Sequence, residues 1–346
     1  MGRGAFVHPI DDVKSEGSPP EPSSSLPLTI LIPVFNDWAV ADALVAKLDA
    51  VFSACGRTAS VVFVDDGSTE PLPANFPGAP PRSLDDIRIL ELRKNLGHQR
   101  ALAVGLVHLH LKSVEGAVLL MDGDGEDEPS EIPRLLEEFA RQGQRKIIFA
   151  ARARRAEGIV FKFFYQIYRT VHRLLVGFDI RIGNFSVVPA AFLERLAVTS
   201  DLWNHYAASV IKMRLPHASI PINRAKRIAG ESKMNFAGLV IHGLSAMSVF
   251  GDTVGVRLLT ASGIFAAATV ALMIAAVIVK FATNLAIPGW ATNVTGLLLV
   301  LLCQSLLLSL IFTFGVLYSR GQSSFIPVRD CPLFVSRERT VFRRHD

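Results

Sequence analysis

The stretch VLLMDGDGEDEPSEIP runs from Val118 to Pro133. Four apolar residues lead straight into Asp122, Asp124, Glu126, Asp127 and Glu128, and a proline-flanked helix start follows. Five carboxylates within seven positions repel one another. A chain that sets them at the end of a buried strand needs something there to offset the charge.

The surrounding pattern supplies the frame. LTILIPVF (Leu28 to Phe35) is a continuous apolar, β-rich run ending at Asn36-Asp37, and a helical stretch follows from about Val40 to Phe52. SVVFVDDGST forms a second strand ending in Asp65-Asp66 and a glycine turn. IRILELRKN gives a third strand, HQRALAVGLVHLHLK a helix, GAVLLMDGDG a fourth strand, Pro129 to Arg141 a charged amphipathic helix, and KIIFAARAR a fifth strand. Strands alternating with helices predict right-handed crossovers and a mostly parallel sheet flanked by helices, with strands buried on both faces. Asn36-Asp37, Asp65-Asp66, Lys94-Asn95 and Asp122-Asp124 each fall just after the C-terminal end of a strand. In open α/β sheets that edge is where ligands bind.

The C-terminal part has a different character. Mean hydropathy is +0.36, and the apolar excess is concentrated. Leu258 to Val279 carries no charge over 22 residues, and no charged residue occurs from Phe281 to Ser319. Both runs are long enough to span a bilayer core as helices. Arg257, Arg320, Arg329, Arg337, Arg339, Arg343 and Arg344 flank the hairpin on its outer ends, which predicts both termini and the large domain on the cytoplasmic side. Residues 1–27 read as a disordered extension rather than a signal peptide. Phe161 to Leu175 and the segment 234–256 read as interfacial amphipathic pieces, 257–320 as the hairpin and 321–346 as a basic cytoplasmic tail. The three cysteines have no metal or disulfide spacing and suit a reducing compartment. A net charge of +5 favours an anionic membrane surface or anionic ligands. No nucleic-acid motif is present.

Asp122-Gly123-Asp124 puts two carboxylates on one turn. A divalent cation such as Mg²⁺ or Mn²⁺ removes their repulsion, because such ions take hard oxygen ligands and keep places for water and phosphate. An EF-hand is excluded, since its sixth and twelfth positions hold Asp127 and Pro133. No Gly-rich loop ending in GK[ST] and no GxGxxG after a strand occurs, so a metal-bound diphosphate ligand fits best.

The series IPVFND, VDDGST, LRKNLGHQRALAVGL, MDGDGEDEPSEIP and RIAGESKM, followed by two apolar helices, resembles the polyprenyl-phosphate glycosyltransferases of family 2 over about Leu28 to Ser319. The resemblance implies a GT-A fold over 28–233 and a bacterial inner-membrane, multi-pass setting. It implies nucleotide-sugar contacts from Pro33, Asn36, Asp37, Asp65, Asp66, Lys94, Asn95, Gly97 and Asp122, and metal ligation by Asp122 and Asp124 with Glu126 as a third ligand. It places Asp124 as the direct ligand and, with Asp127, at the reaction. Asp127 either supports the helix start or assists the chemistry. Arg227, Ser232 and Lys233 match the family's R-x-x-G-x-S-K and are placed on the acceptor phosphate. Four departures stand out: Asp37 for glutamate, Lys94 for arginine, Glu126 for glutamine, and Gly183-Asn184-Phe185-Ser186-Val187 where G-D-F-R-L is common. His98, at the same edge, is given a supporting role.

The expected reaction moves one sugar from a UDP- or GDP-linked donor to a polyprenyl phosphate of the undecaprenyl type, with inversion, for envelope glycan modification. Homo-oligomerisation is left open. A processive polysaccharide synthase is the first rival, but its Q-x-x-R-W motif is missing, as Gln166 to Thr170 ends in Thr. A non-catalytic nucleotide-sugar-binding scaffold is the second.

Overall fold

The structure, a computed structural model, describes residues 26–152, 166, 170–177, 182–222, 243–282, 289–321 and 325–344. Arg227, Ser232 and Lys233 lie outside the described residues, as do most of 161–175 and all of 234–242.

β1 (Leu28–Val34) is buried along its whole length. Its alternate side chains serve two cores: Ile30, Ile32 and Val34 face one, Leu31 the other. That accounts for the absence of polar alternation in its sequence. β1 lies at the centre of an eight-stranded sheet with β2 (Ala59–Asp65), β3 (Leu84–Leu92), β4 (Ala117–Leu120), β5 (Ile147–Arg152), β6 (Ile182–Pro189), β7 (His217–Ile222) and β8 (Val335–Arg343). The order is β7-β5-β6-β4-β1-β2-β3-β8. The block β4-β1-β2-β3 is parallel, as is β5 with β7, while β6 enters antiparallel to both β4 and β5. The sheet is therefore mixed, with a parallel centre.

Helices α1 (Trp38–Ala54) and α3 (Ile132–Arg141) cover one face through Leu44, Leu48, Leu135 and Phe139. On the other face lie α2 (His98–Leu111), α4 (Leu193–Ala197) and α5 (Tyr206–Lys212). α2 sits very close to the sheet. A Cβ on Gly105 would come within 2.8 Å of Leu31 and Val64 side-chain atoms, so only glycine permits this approach.

β8 departs from the expected layout. Residues read from sequence as a tail beyond the domain pair antiparallel with β3, from Asp86↔Arg343 to Leu92↔Val335. Glu91 binds both Arg337 (2.7 Å) and Arg339 (2.9 Å) across that ladder. Cys331, just before β8, is buried in the second core, and burial pushes its thiol up to about 12.

α6 (Gly251–Ala282) and α7 (Trp290–Gly321) are long and apolar enough to cross a membrane. Ile264, Leu272, Leu297 and Ile311 point outward and are exposed. Thr269 and Ser305 are buried, and their hydroxyls donate to Phe265 O and Leu302 O of their own helices. Such internal satisfaction is what a low-dielectric surround requires. At the base of α6, Arg257 donates to Leu174 O at 2.8 Å. Gly177, at φ +102°, leaves room for that guanidinium, since a Cβ there would lie 2.7 Å from Arg257 Nη2.

Candidate active site

Because β4, β1, β2 and β3 are neighbours and run in one direction, the residues just past their ends share one edge. Asn36 follows β1, Asp65 and Asp66 end β2, Lys94 and Asn95 follow β3, and Asp122 to Asp127 follow β4. The edge divides into two hydrogen-bonded groups.

The first is organised by Asn36, whose backbone is in the left-handed region at φ 53°. This conformation suits Asn better than most residues. Its Oδ1 accepts from Thr69 N (2.8 Å) and Glu70 N (3.0 Å), its Nδ2 donates to Thr69 Oγ1, and its own N–H donates to Ser68 Oγ. Asp65 Oδ1 accepts from Ser68 N at 2.9 Å. Asp66 turns inward: its two carboxylate oxygens accept from Leu96 N (2.7 Å) and Gly97 N (2.9 Å), holding the start of α2. Burial raises its pKa, against the pull of those two backbone bonds and of His98. Gly67 (φ +69°) lies against the next loop, where a Cβ would meet Asn95 N and Lys94 C at 2.6 Å. Asp37 takes the N-cap position of α1, with no capping bond from its side chain. Pro33 is buried in β1 and shows its carbonyl to Gly123.

The second group surrounds Asp122. His98 Nε2 lies 3.1 Å from Asp122 Oδ1. Asn184 Nδ2, from β6, lies 3.3 Å from the same oxygen and 2.8 Å from His98 Nε2. Gln99 donates to Asn184 Oδ1 (3.0 Å) and accepts from Tyr206 N (3.0 Å). Ser186 donates to Asn184 O (2.8 Å) and its hydroxyl meets that of Tyr206 at 2.9 Å. Burial works against a charged His98, but Asp122, Asp127 and Asp124 outweigh it and raise its pKa. Burial likewise raises that of Tyr206, which stays a neutral phenol. Asp127 is buried, and its Oδ2 accepts from Asp122 N at 2.9 Å. Asp124 Oδ1 accepts from Glu126 N at 3.0 Å.

Gly123 is glycine because of space rather than torsion. A Cβ there would come within 2.6 Å of Pro33 O, so the carboxylate turn packs directly on β1. The hard oxygens of Asp122 and Asp124 on this turn suit Mg²⁺ or Mn²⁺ in donor chemistry. Among the described residues no three His, Cys, Asp or Glu side chains form a ready metal cage. Glu126 follows on the same turn, its backbone N–H held by Asp124 Oδ1.

The network partners Asn184, Gln99 and Tyr206 carry little signal in the sequence. Asn184 stands out there only as a departure from a familiar pattern. His205 and His217 play structural parts: His205 Nδ1 caps α5 by accepting from Ala208 N, and His217 Nδ1 meets Leu215 O at 2.8 Å.

Comparison with known proteins supports a sugar-transferring enzyme. Residues 29–192 match the family described as glycosyl transferase family 2. Similar curated proteins include the dodecaprenyl-phosphate galacturonate synthase of Rhizobium johnstonii, 27% identical over 41% of this chain and 40% of that relative's length. The uncharacterized glycosyltransferase YkcC of Bacillus subtilis is 23% identical over 90% of this chain and 94% of its own. The undecaprenyl-phosphate 4-deoxy-4-formamido-L-arabinose transferase of Edwardsiella ictaluri is 27% identical over 66% and 72%. Among solved structures, mannosyl-3-phosphoglycerate synthase from Rubrobacter xylanophilus aligns with TM-score 0.46 at 15% identity, over 66% of this chain and 73% of that one.

Proposed function

We propose that the protein transfers one sugar from a nucleotide sugar to a polyprenyl phosphate at a membrane surface, with inversion at the anomeric carbon. The observation that carries this reading is the placement of the Asp122-Gly123-Asp124 turn at the same sheet edge as Asn36, Asp65 and Lys94. It sits in a family 2 glycosyltransferase domain joined to two apolar helices. Relatives named for dodecaprenyl- and undecaprenyl-phosphate chemistry support the choice of acceptor.

The chain's residues divide the work. Asn36 and Asp65 hold the 65–70 turn in shape for the nucleoside, while Asp66 fixes the 94–97 loop and so presents Lys94 to the diphosphate. Asp127 and Asn184 fix the backbone and carboxylate of Asp122, leaving Asp122 and Asp124 to hold Mg²⁺ or Mn²⁺. When bound, the cation supplies charge neutralisation at the departing diphosphate. A phosphate oxygen of the acceptor forms the new bond to the anomeric carbon from the opposite face. The bond to the nucleotide diphosphate breaks, and its electron pair leaves with the diphosphate. An acceptor phosphate with its second pKa near 6 is already largely ionised at neutral pH, so no strong base is required. Two anions must still be brought together, and Lys94, Arg227, Ser232 and Lys233 are assigned that task.

The pairing of β8, which comes after the hairpin, with β3, which comes before it, supports one membrane topology. Both ends of the hairpin then lie on the domain's side, taken as the cytoplasmic face of a bacterial inner membrane.

The test uses membranes containing the protein, undecaprenyl phosphate, Mg²⁺ or Mn²⁺, and a panel of labelled UDP- and GDP-sugars. Label from one donor should move into the organic phase, and a chelator should stop it. Asp124→Asn should lower the rate by at least about 100-fold, the scale of losing a charge clamp on a leaving group. Nucleotide release without lipid-linked product would replace the acceptor. No consumption of any donor would leave the carboxylates as a binding site alone.

A further inference from the structure

The segment that follows α7 reaches the donor edge. Phe334, just before β8, accepts a backbone bond from Arg93 N at 2.8 Å. Lys94 Nζ stands 5.7 Å from the centroid of the Phe334 ring. Trp203 stacks on Phe334 at 5.2 Å and on Phe325 at 4.2 Å, with interplanar angles of 30° and 32°. Arg100, from α2, lies 5.2 Å over the Trp203 ring. On its other side the Lys94-Asn95 backbone packs against Gly67 in the turn after Asp65 and Asp66. A continuous set of contacts therefore joins the carboxylate edge to chain lying beyond the second apolar helix.

We propose that Phe334 is a positioning residue for Lys94. Its carbonyl fixes the backbone entering the 94–97 loop, and its ring holds the ammonium before the nucleotide diphosphate arrives. A lysine on an exposed loop loses rotamer freedom when it binds phosphate, and a prior restraint reduces that loss. An aromatic face within about 6 Å of a cation provides such a restraint without competing for its charge as a carboxylate would. The proposal rests on the reading of Lys94 as a donor contact. It adds that the donor loop is completed by a residue from the far side of the membrane hairpin.

The experiment is a double-mutant cycle in the full chain, in membranes, with Phe334→Leu, Lys94→Met and the pair. Leu keeps apolar volume in the Trp203 stack but removes the ring face. Phe334→Leu should raise the donor KM by about 2- to 5-fold, the range of an exposed cation–π contact, with kcat close to wild type. Phe334→Tyr, which keeps the ring, should restore KM. In the Lys94→Met background, Phe334→Leu should add nothing further to KM. An unchanged donor KM in Phe334→Leu, or an undiminished effect of that change in Lys94→Met, would overturn the proposal and leave Phe334 as packing. If wild type transfers no sugar at all, the proposed function fails on its own. Calorimetric binding of UDP and GDP to the same variants then decides the role of Phe334: its change to Leu weakens binding only where Lys94 is present, or the proposal is wrong.

Discussion

At the scale of single residues, the site depends on two kinds of constraint that sequence carries unequally. Asp122, Asp124 and Asp65 are legible, because a carboxylate at the end of a buried apolar run has to be offset by a ligand or a cation. Their supports are not. Asn184 sits on β6, far along the chain, and reaches Asp122 only because β6 inserts beside β4. Asp66 reads from sequence as a ligand-facing acid, and the sequence does not tell that its oxygens also accept from Leu96 N and Gly97 N at the α2 start. Gly123 reads as a flexible turn residue, whereas its reason is the Pro33 carbonyl beneath it. Gly123→Ala should therefore displace the carboxylate turn and lower transfer by about 100-fold, the cost of a misplacement near 1 Å. Steady-state assay beside a thermal melt checks this, and full activity would show that the turn tolerates the shift. Asn184→Leu removes the amide shared by Asp122, His98 and Gln99. Leaving such groups unmatched costs about 1–3 kcal/mol, to be read as a lower melting temperature.

At the scale of elements, the five strands with continuous apolar runs are visible in the sequence, and β6, β7 and β8 are not. β7 shows an exposed-and-half-buried alternation and β8 is rich in arginine. Each looks like surface until its neighbour is known. β8 is held partly by Glu338, which lies 3.3 Å from Arg88 Nη1, 3.1 Å from His108 Nε2 and 3.3 Å from Lys112 Nζ, with Asp86 also on Arg88 at 3.0 Å. Burial works to raise the Glu338 pKa, but His108, Lys112 and Arg88 together bring it below the ordinary value. Burial lowers that of His108. A lowered carboxylate pKa means stability that is present above about 4.5 and lost as pH falls through the folded value. A lowered histidine pKa acts the same way, beginning below about 6.5. β8 should therefore loosen on acidification, weakly at first and strongly below pH 4.5. Hydrogen exchange of the 335–343 backbone, corrected for intrinsic rate, measures this. Glu338→Gln should remove the steeper low-pH part, and a variant that keeps it would transfer the effect to other groups.

At the scale of the whole molecule, the sheet constrains how the chain could cross a membrane. β3 and β8 join through seven registered pairs, and α6 and α7 lie between them in the sequence. A ladder cannot form through a bilayer, so the number of crossings between Leu92 and Val335 must be even. Two apolar helices satisfy this condition, whereas a third span within 234–251 would strand β8 on the far side and leave β3 as an open edge. Sequence alone leaves that third span undecided, because hydropathy counts apolar residues without knowing where the chain must return. Cys55 is exposed on the catalytic domain and offers a native probe for one side. In sealed inside-out vesicles, a membrane-impermeant maleimide should label Cys55 and a cysteine placed at Arg344. It should spare one placed at Asn284, between the helices, with Cys303 replaced by serine throughout. Right-side-out vesicles should give the opposite pattern. If positions 55 and 344 label from different sides, the β3–β8 pairing cannot exist in the membrane-bound protein. The completion of the donor loop by Phe334 would then fall with it, since both need the chain to return to the side it left.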